Sequence, residues 1–257
     1  MKLKRMLKLQ IQFNGSGYFG WQIQKNEQKT IQQKVNEALY LIYKNQVKTQ
    51  GSGRTDAGVH ALNYYVVFEE PFPIRPLSNL VKAINTKLPT SIRALSCEVV
   101  ESQFSPTAMA KSKEYRYFFS NLKIPSPFSE HLMSNISYSL DEKLMHEACA
   151  LFVGRYDFLS FHCTGSDPKS TIREVFECEI FKEEMSMGGV IPEHYVIRIT
   201  GNGFLKQMVR SIVGTIWAVG KKKVTLKEVR EQLVNPTGKH IAPVAPAVGL
   251  VKFSVNY

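Results

Sequence analysis

Apolar residues recur along this chain with two periods. Leu7, Leu9, Ile11 and Phe13 alternate with polar neighbours, as a strand buried on one face requires. After a glycine-rich stretch, Thr30 stands where an N-cap belongs, ahead of Ile31, Val35, Ala38, Leu39 and Ile42 on one helical face. Leu62, Tyr64, Val66 and Phe68 alternate again, and Pro71, Pro73 and Pro76 break the chain. A second helix carries Leu77, Leu80, Val81, Ile84 and Leu88 and stops at Pro89, and a strand over 92–100 completes a first half. The second half opens on an aromatic strand with Tyr115, Tyr117 and Phe119, followed by a Pro/Ser-rich loop over 121–139. A helix with Leu144, Met145, Ala148, Leu151 and Phe152 comes next, then strands near 172–182 and 195–200 joined through Ser186-Met-Gly-Gly. A long apolar helix over 204–219, another over 225–234 and a strand over 250–257 complete the pattern.

Helices interleaved with alternating strands predict an α+β fold, its mostly antiparallel sheet covered on one side. At 257 residues, one large domain or two fused halves both fit. The connection runs through 101–113 and divides the chain into 1–105 and 106–257.

Composition adds a partner to this picture. Hydrophobic residues at 44% and charged residues at 21% suit a globular protein. The 33 Lys+Arg against 22 Asp+Glu leave +11, which favours a polyanion, nucleic acid ahead of anionic membrane. Cys97, Cys149, Cys163 and Cys178 lie far apart without C-x-x-C spacing, against a zinc ribbon or a disulfide framework. The histidines show no paired ligand spacing, so no metal site is predicted. No apolar run reaches the ~18 residues of a membrane helix, and the basic start lacks the apolar stretch of a leader. The expectation is a cytoplasmic protein without membrane or metal.

The segment Gly51-Ser-Gly-Arg-Thr-Asp-Ala-Gly-Val-His60 concentrates the candidate chemistry. Glycines and one alanine leave Asp56 sterically open, and Arg54 places positive charge nearby, which favours the ionised carboxylate. Such a carboxylate suits a nucleophile or a metal ligand. It equally suits an Asx-turn, and these ten residues leave both open. Gly15-Ser-Gly-Tyr-Phe-Gly20 matches the G-x-G-x-x-G dinucleotide pattern, but the helix starts only near Thr30 rather than inside the motif. A turn presenting Tyr18, Phe19 and Trp21, to plug the core or to stack bases, reads better. Tyr115 and Tyr117 share a strand face with Arg116 opposite, which suits a core-facing tyrosine pair. Arg210 sits in a helix apolar almost all round, where a guanidinium needs an anion, and Asp56 is available. Lys221-Lys-Lys223 suits a solvated helix end.

Together these residues resemble the TruA family of tRNA pseudouridine synthases. The likeness runs through Phe13-Asn-Gly-Ser16, Gly20-Trp-Gln22, Gly53-Arg-Thr-Asp-Ala-Gly-Val-His60, Asn85 with Leu88-Pro89, and Glu114-Tyr-Arg-Tyr117. It continues through Asp157-Phe-Leu-Ser-Phe161, Gly203-Phe-Leu205, Met208-Val-Arg210, Val213-Gly214, Ala245-Pro-Ala247 and Gly249-Leu250. The resemblance implies two α+β halves (ferredoxin/RRM-like) related by a pseudo-twofold, sharing an extended, mainly antiparallel sheet with helices on one side and a central catalytic cleft. It implies an isomerase that breaks the N1–C1′ bond of a flipped-out uridine, rotates the base and rejoins it through C5, with no cofactor or metal. By the same resemblance Asp56 is the nucleophile, at C1′ or C6; Tyr115 stacks on the base and assists proton removal; and Arg210 pairs with Asp56. Arg54 fills the vacated stack. Gly53, Thr55, Gly58 and His60, with Tyr115, complete the implied substrate-binding set. The implied partners are the anticodon stem-loop of tRNA, at positions 38–40, and a second copy of the chain in a homodimer.

One position departs from the family. Its F-x-x-R pattern reads Phe104-Ser-Pro-Thr107 here, so a hydroxyl replaces a cation, with Lys111 and Lys113 nearby to compensate. Two other classes fit parts of the sequence. An RNA-binding module with a degenerate site shares the charge and the aromatic strand, and a nucleotide-cofactor oxidoreductase rests on residues 15–20 alone.

Overall fold

The computed structural model describes residues 5–25, 29–166 and 168–257. In chain order its elements are β1 (Met6–Phe13), α1 (Ile31–Tyr43), β2 (Gln50–Gly51), β3 (His60–Glu69), α2 (Leu77–Asn85), β4 (Ile92–Val100), β5 (Ser112–Ser120) and β6 (Ser134–Asn135). There follow α3 (Glu142–Leu151), β7 (Gly154–Asp157), β8 (Ile172–Glu183), β9 (His194–Gly201), α4 (Met208–Gly220), α5 (Leu226–Val234) and β10 (Leu250–Asn256). The α+β class is as the hydrophobic pattern predicts, with mainly antiparallel pairing. Two compact units form, one from Met1–Lys111 with Lys252–Tyr257, the other from Ser112–Val251.

In the first unit the strand order is β4-β1-β3-β10, with β2 on β3. Alternation in β1 buries Leu7, Leu9, Ile11 and Phe13 in one core with Ile31, Val35 and Leu39 of α1 and Leu80 and Ile84 of α2. Thr30 caps α1, its hydroxyl accepting from Gln33 N at 3.3 Å. Asn85 ends α2 and bonds Ala94 of β4 through both amide atoms, at 2.8 and 2.9 Å. The last strand belongs here because Asn63 of β3 donates to the Phe253 carbonyl at 2.9 Å.

In the second unit the order is β5-β9-β8-β7, with β6 parallel to β5. Tyr117 and Phe119, with Ile197, Ile199 and Ile180, are buried on one face, and the tyrosine pair expected there is indeed turned inward. All of α4 is buried except Arg210, which is half-buried. That helix begins at Met208, later than the apolar run suggests, because Gln207 adopts φ 62°, a left-handed conformation that no helix continues. Thr225 and Glu228 cap α5 reciprocally.

Gly214 packs α4 onto the segment before β10, and a Cβ there would lie 1.9 Å from the Pro243 carbonyl oxygen. Gly214→Ala is therefore expected to destabilise the protein by about 2–3 kcal/mol, read from urea unfolding. An unchanged midpoint would show that this contact yields freely.

Candidate active site

The Asp56 segment is an excursion between two paired strands. Gln50 and Gly51 of β2 lie opposite Val67 and Val66 of β3, and the chain returns to β3 at His60. Ser52 extends the pairing, its N donating to Tyr65 O at 2.9 Å and its hydroxyl accepting from Tyr65 N at 3.2 Å. Between these anchors Asp56, Ala57, Gly58 and Val59 make a tight turn, closed by Val59 N to Asp56 O at 3.2 Å. Gly58 has φ 80°, as the third position of a type II turn demands. Asp56 is half-buried, while Arg54 and Ala57 beside it are exposed.

The glycine-rich segment 15–20 supports this turn with its backbone. Gly58 N donates to Tyr18 O at 3.1 Å, Trp21 N to Thr55 O at 3.3 Å, and Gly15 N to His60 Nδ1 at 3.0 Å. A Cβ on Gly15 would lie 2.0 Å from Val59 O, and one on Gly20 would lie 2.3 Å from Thr55 O. The glycines are needed because two main chains meet there. Tyr18 and Trp21 plug the core, at 7% and 2% exposure, and Phe19 alone of the three points outward. The helix N-terminus that a dinucleotide motif needs is absent from the motif, since α1 begins only at Ile31.

Below the turn lies a residue that the sequence reading passed over. Lys252 of β10 is fully buried, and its Nζ donates to Ser52 O at 2.7 Å and to Ser52 Oγ at 3.1 Å. The ammonium lies 4.7 Å from the Tyr64 ring centre, and the Tyr64 hydroxyl donates to Gly53 O. Lysine and tyrosine thus fix the two residues that lead into Arg54. The available signal was a lysine in a closing strand otherwise rich in apolar residues. Thr107 donates its hydroxyl to Gly51 O at 3.1 Å and ties the 104–107 segment to the same base.

Thr55 is half-buried, and its Oγ1 is enclosed with no hydrogen-bond partner among the described residues. His60 is 4% exposed, and the bond from Gly15 requires a lone pair on Nδ1. Both lie beneath the turn. Tyr115 and Arg210 belong to the second unit. The Tyr115 ring, 9% exposed, meets Phe204 edge-on at 5.3 Å and 84°. Arg210 Nε donates to Ala245 O at 2.7 Å, and Ala245 N returns a bond to Arg210 O at 3.1 Å. The guanidinium plane is therefore set in part by a carbonyl, a neutral acceptor that reasoning from charge does not identify.

Among the described residues no group of three or more His, Cys, Asp or Glu is placed to hold a metal ion, and no helix is long and apolar enough to cross a membrane.

This arrangement has relatives. A family model described as tRNA pseudouridine synthase matches residues 10–104 and 148–257, which include Asp56 and Arg210, with Tyr115 between the matched segments. The tRNA pseudouridine synthase A of Thermodesulfovibrio yellowstonii is 35% identical over 255 residues, covering 98% of this chain and 99% of that protein. Those of Pelobacter propionicus and Geotalea daltonii are each 36% identical, over 253 and 255 residues, covering 98% of this chain and all of each relative. The chain belongs to the tRNA pseudouridine synthase family, a family of isomerases that act on tRNA.

Two contrasts test the cradle. Gly20→Ala is expected to cost about 3 kcal/mol or more, because it adds a backbone clash to the strain of φ 79°. Gly17→Ala, with φ 74° and only the Lys29 Nζ at 3.4 Å, should cost about 1 kcal/mol. Equal losses in urea unfolding would remove the backbone contact from the explanation. Lys252→Met is expected to leave a folded protein whose kcat falls about tenfold or more while KM for RNA holds. A rise in KM with kcat intact would place the lysine in RNA binding instead.

Proposed function

We propose that this chain converts uridine to pseudouridine in the anticodon stem-loop of tRNA, at positions 38–40, with Asp56 as nucleophile. The observation that carries this reading is the Asp56 turn, built on backbone bonds from beneath and flanked on its outer side by exposed Arg54 and Ala57. A turn held this way presents its carboxylate to a large ligand without rearrangement of the main chain. The isomerisation needs nothing added: N1–C1′ breaks, C1′–C5 forms, C5 releases a proton and N1 gains one. Asp56 either attacks C1′, displacing N1 and leaving again as C5 bonds to C1′, or adds to C6, so that the base turns once N1–C1′ breaks and Asp56 is eliminated after C1′–C5 has formed.

Tyr115 lies against the turning base and assists removal of the C5 proton, its ring direction fixed by Phe204. Arg210 serves the reaction as a positioned cation, its plane held by Ala245. Arg54 fills the stack that the uridine vacates. Gly53 and Gly58 let the RNA approach the main chain, while Thr55 and His60 shape the turn from below. The resemblance supports two further parts of the proposal, action as a homodimer and location in the cytoplasm.

The test is incubation with a uridine-containing anticodon stem-loop, with pseudouridine mapped by carbodiimide-blocked primer extension. Asp56→Asn is expected to abolish the product while RNA affinity stays within about threefold of wild type. Unimpaired modification by that variant would end the nucleophile assignment. Binding should also weaken steeply as salt rises, since phosphate contacts release counterions.

A further inference from the structure

We propose that Lys113 and Arg173 form a subsite for a backbone phosphodiester of the RNA, on the strand face that carries Tyr115. The inference rests on the tRNA reading above and adds to it a contact that the nucleophile segment does not supply. Lys113 of β5 lies opposite Gly201 of β9, and Gly201 lies opposite Val175 of β8. The three form one lateral row, so their Cβ directions share a face. Arg173 is two residues before Val175 and Tyr115 two residues after Lys113, which puts both on that same face. Gly201 carries no side chain in the middle of the row, and the Phe204 ring lies 3.2 Å from where its Cβ would be.

Lys113 is half-buried, and among the described residues it has neither a carboxylate partner nor a side-chain hydrogen bond. Burial, and then the Arg173 guanidinium, lower its pKa. Arg173 is held by the start of its strand and the residues before it, with Nη1 donating to Ser170 O at 2.9 Å and Ile172 O at 2.6 Å. Two cations kept near each other and partly out of water destabilise the free protein, and an anion arriving from outside relieves both terms. Other polar residues that lead into β5 are engaged elsewhere. Thr107 donates to Gly51 O, and Lys111 Nζ donates to a main-chain oxygen of Tyr257 at 3.0 Å. Lys113 keeps its ammonium available, and a phosphodiester is the anion that tRNA presents at every step.

The experiment measures stem-loop affinity across a KCl series for the full chain and for Lys113→Met, Lys113→Arg and Arg173→Gln, with thermal melting of each. Lys113→Met and Arg173→Gln are expected to weaken binding about tenfold and to reduce the salt slope by about one each. Lys113→Arg should retain the wild-type slope, and Lys113→Met should melt no lower than wild type, because a desolvated like charge has gone. Wild-type affinity and slope in Lys113→Met would overturn the subsite. So would a lower melting temperature with binding lost only in proportion to unfolding. Because binding is read apart from chemistry, a wild-type protein that binds the stem-loop but forms no pseudouridine would sink the functional reading while the slopes still judge the subsite.

Discussion

Everything at the Asp56 turn depends on two main chains meeting without side chains between them. Gly15 and Gly20 allow the 15–21 segment to press against Thr55 and Val59, and the bonds that join them run from backbone to backbone or to a buried imidazole. The bonds between main chains do not change with rotamer, and the imidazole that takes the remaining one is buried. The main chain that carries Asp56 is thereby positioned before the ligand arrives, and pre-positioning is where much of an enzyme's rate advantage arises. The cost is intolerance, because a single methyl group at Gly20 would displace the residue next to Asp56.

Each unit also uses a cation to fix a stretch of backbone. In the first, Lys252 holds Ser52 from beneath with Tyr64 beside it; in the second, Arg210 holds Ala245. Taking an ammonium or a guanidinium out of water costs energy that its bonds return only in part. An apolar residue would fill either place at less electrostatic cost, so the charges are better explained by what they orient than by stability.

The sequence made legible what local chemistry determines. Thr30 and the alternation of β1 each act within a few residues, and each is found where the pattern puts it. The Asp56 segment was legible because so few side chains surround its one carboxylate. What escaped was set by partners remote in sequence. The match of residues 15–20 to a dinucleotide pattern reflects a real need for glycine, but the neighbour is the 55–59 backbone rather than a pyrophosphate. The start of α4 moved because Gln207 is left-handed, and β2 and β7 are too short to show a period. Lys252 escaped because a strand pattern shows which face a residue takes without showing which polar group waits there.

Net charge is the hardest of the sequence signals to interpret, and the structure explains why. Of the basic excess, Arg5 is paired with Glu70, and Lys8 is paired with Glu98 and lies near the Tyr65, Phe104 and Tyr257 rings. Arg93 donates to the carbonyls of Pro89 and Ile92, and Lys252 to Ser52. A cation bonded to a carbonyl keeps its charge, so it still contributes to the field that draws in a polyanion. The N–H groups so engaged are not open to a phosphate oxygen, and only cations with donors left to reach one release counterions on contact. The total of +11 therefore describes attraction at a distance, whereas contact with a phosphate falls to the smaller set of basic side chains that still have a donor within reach of one.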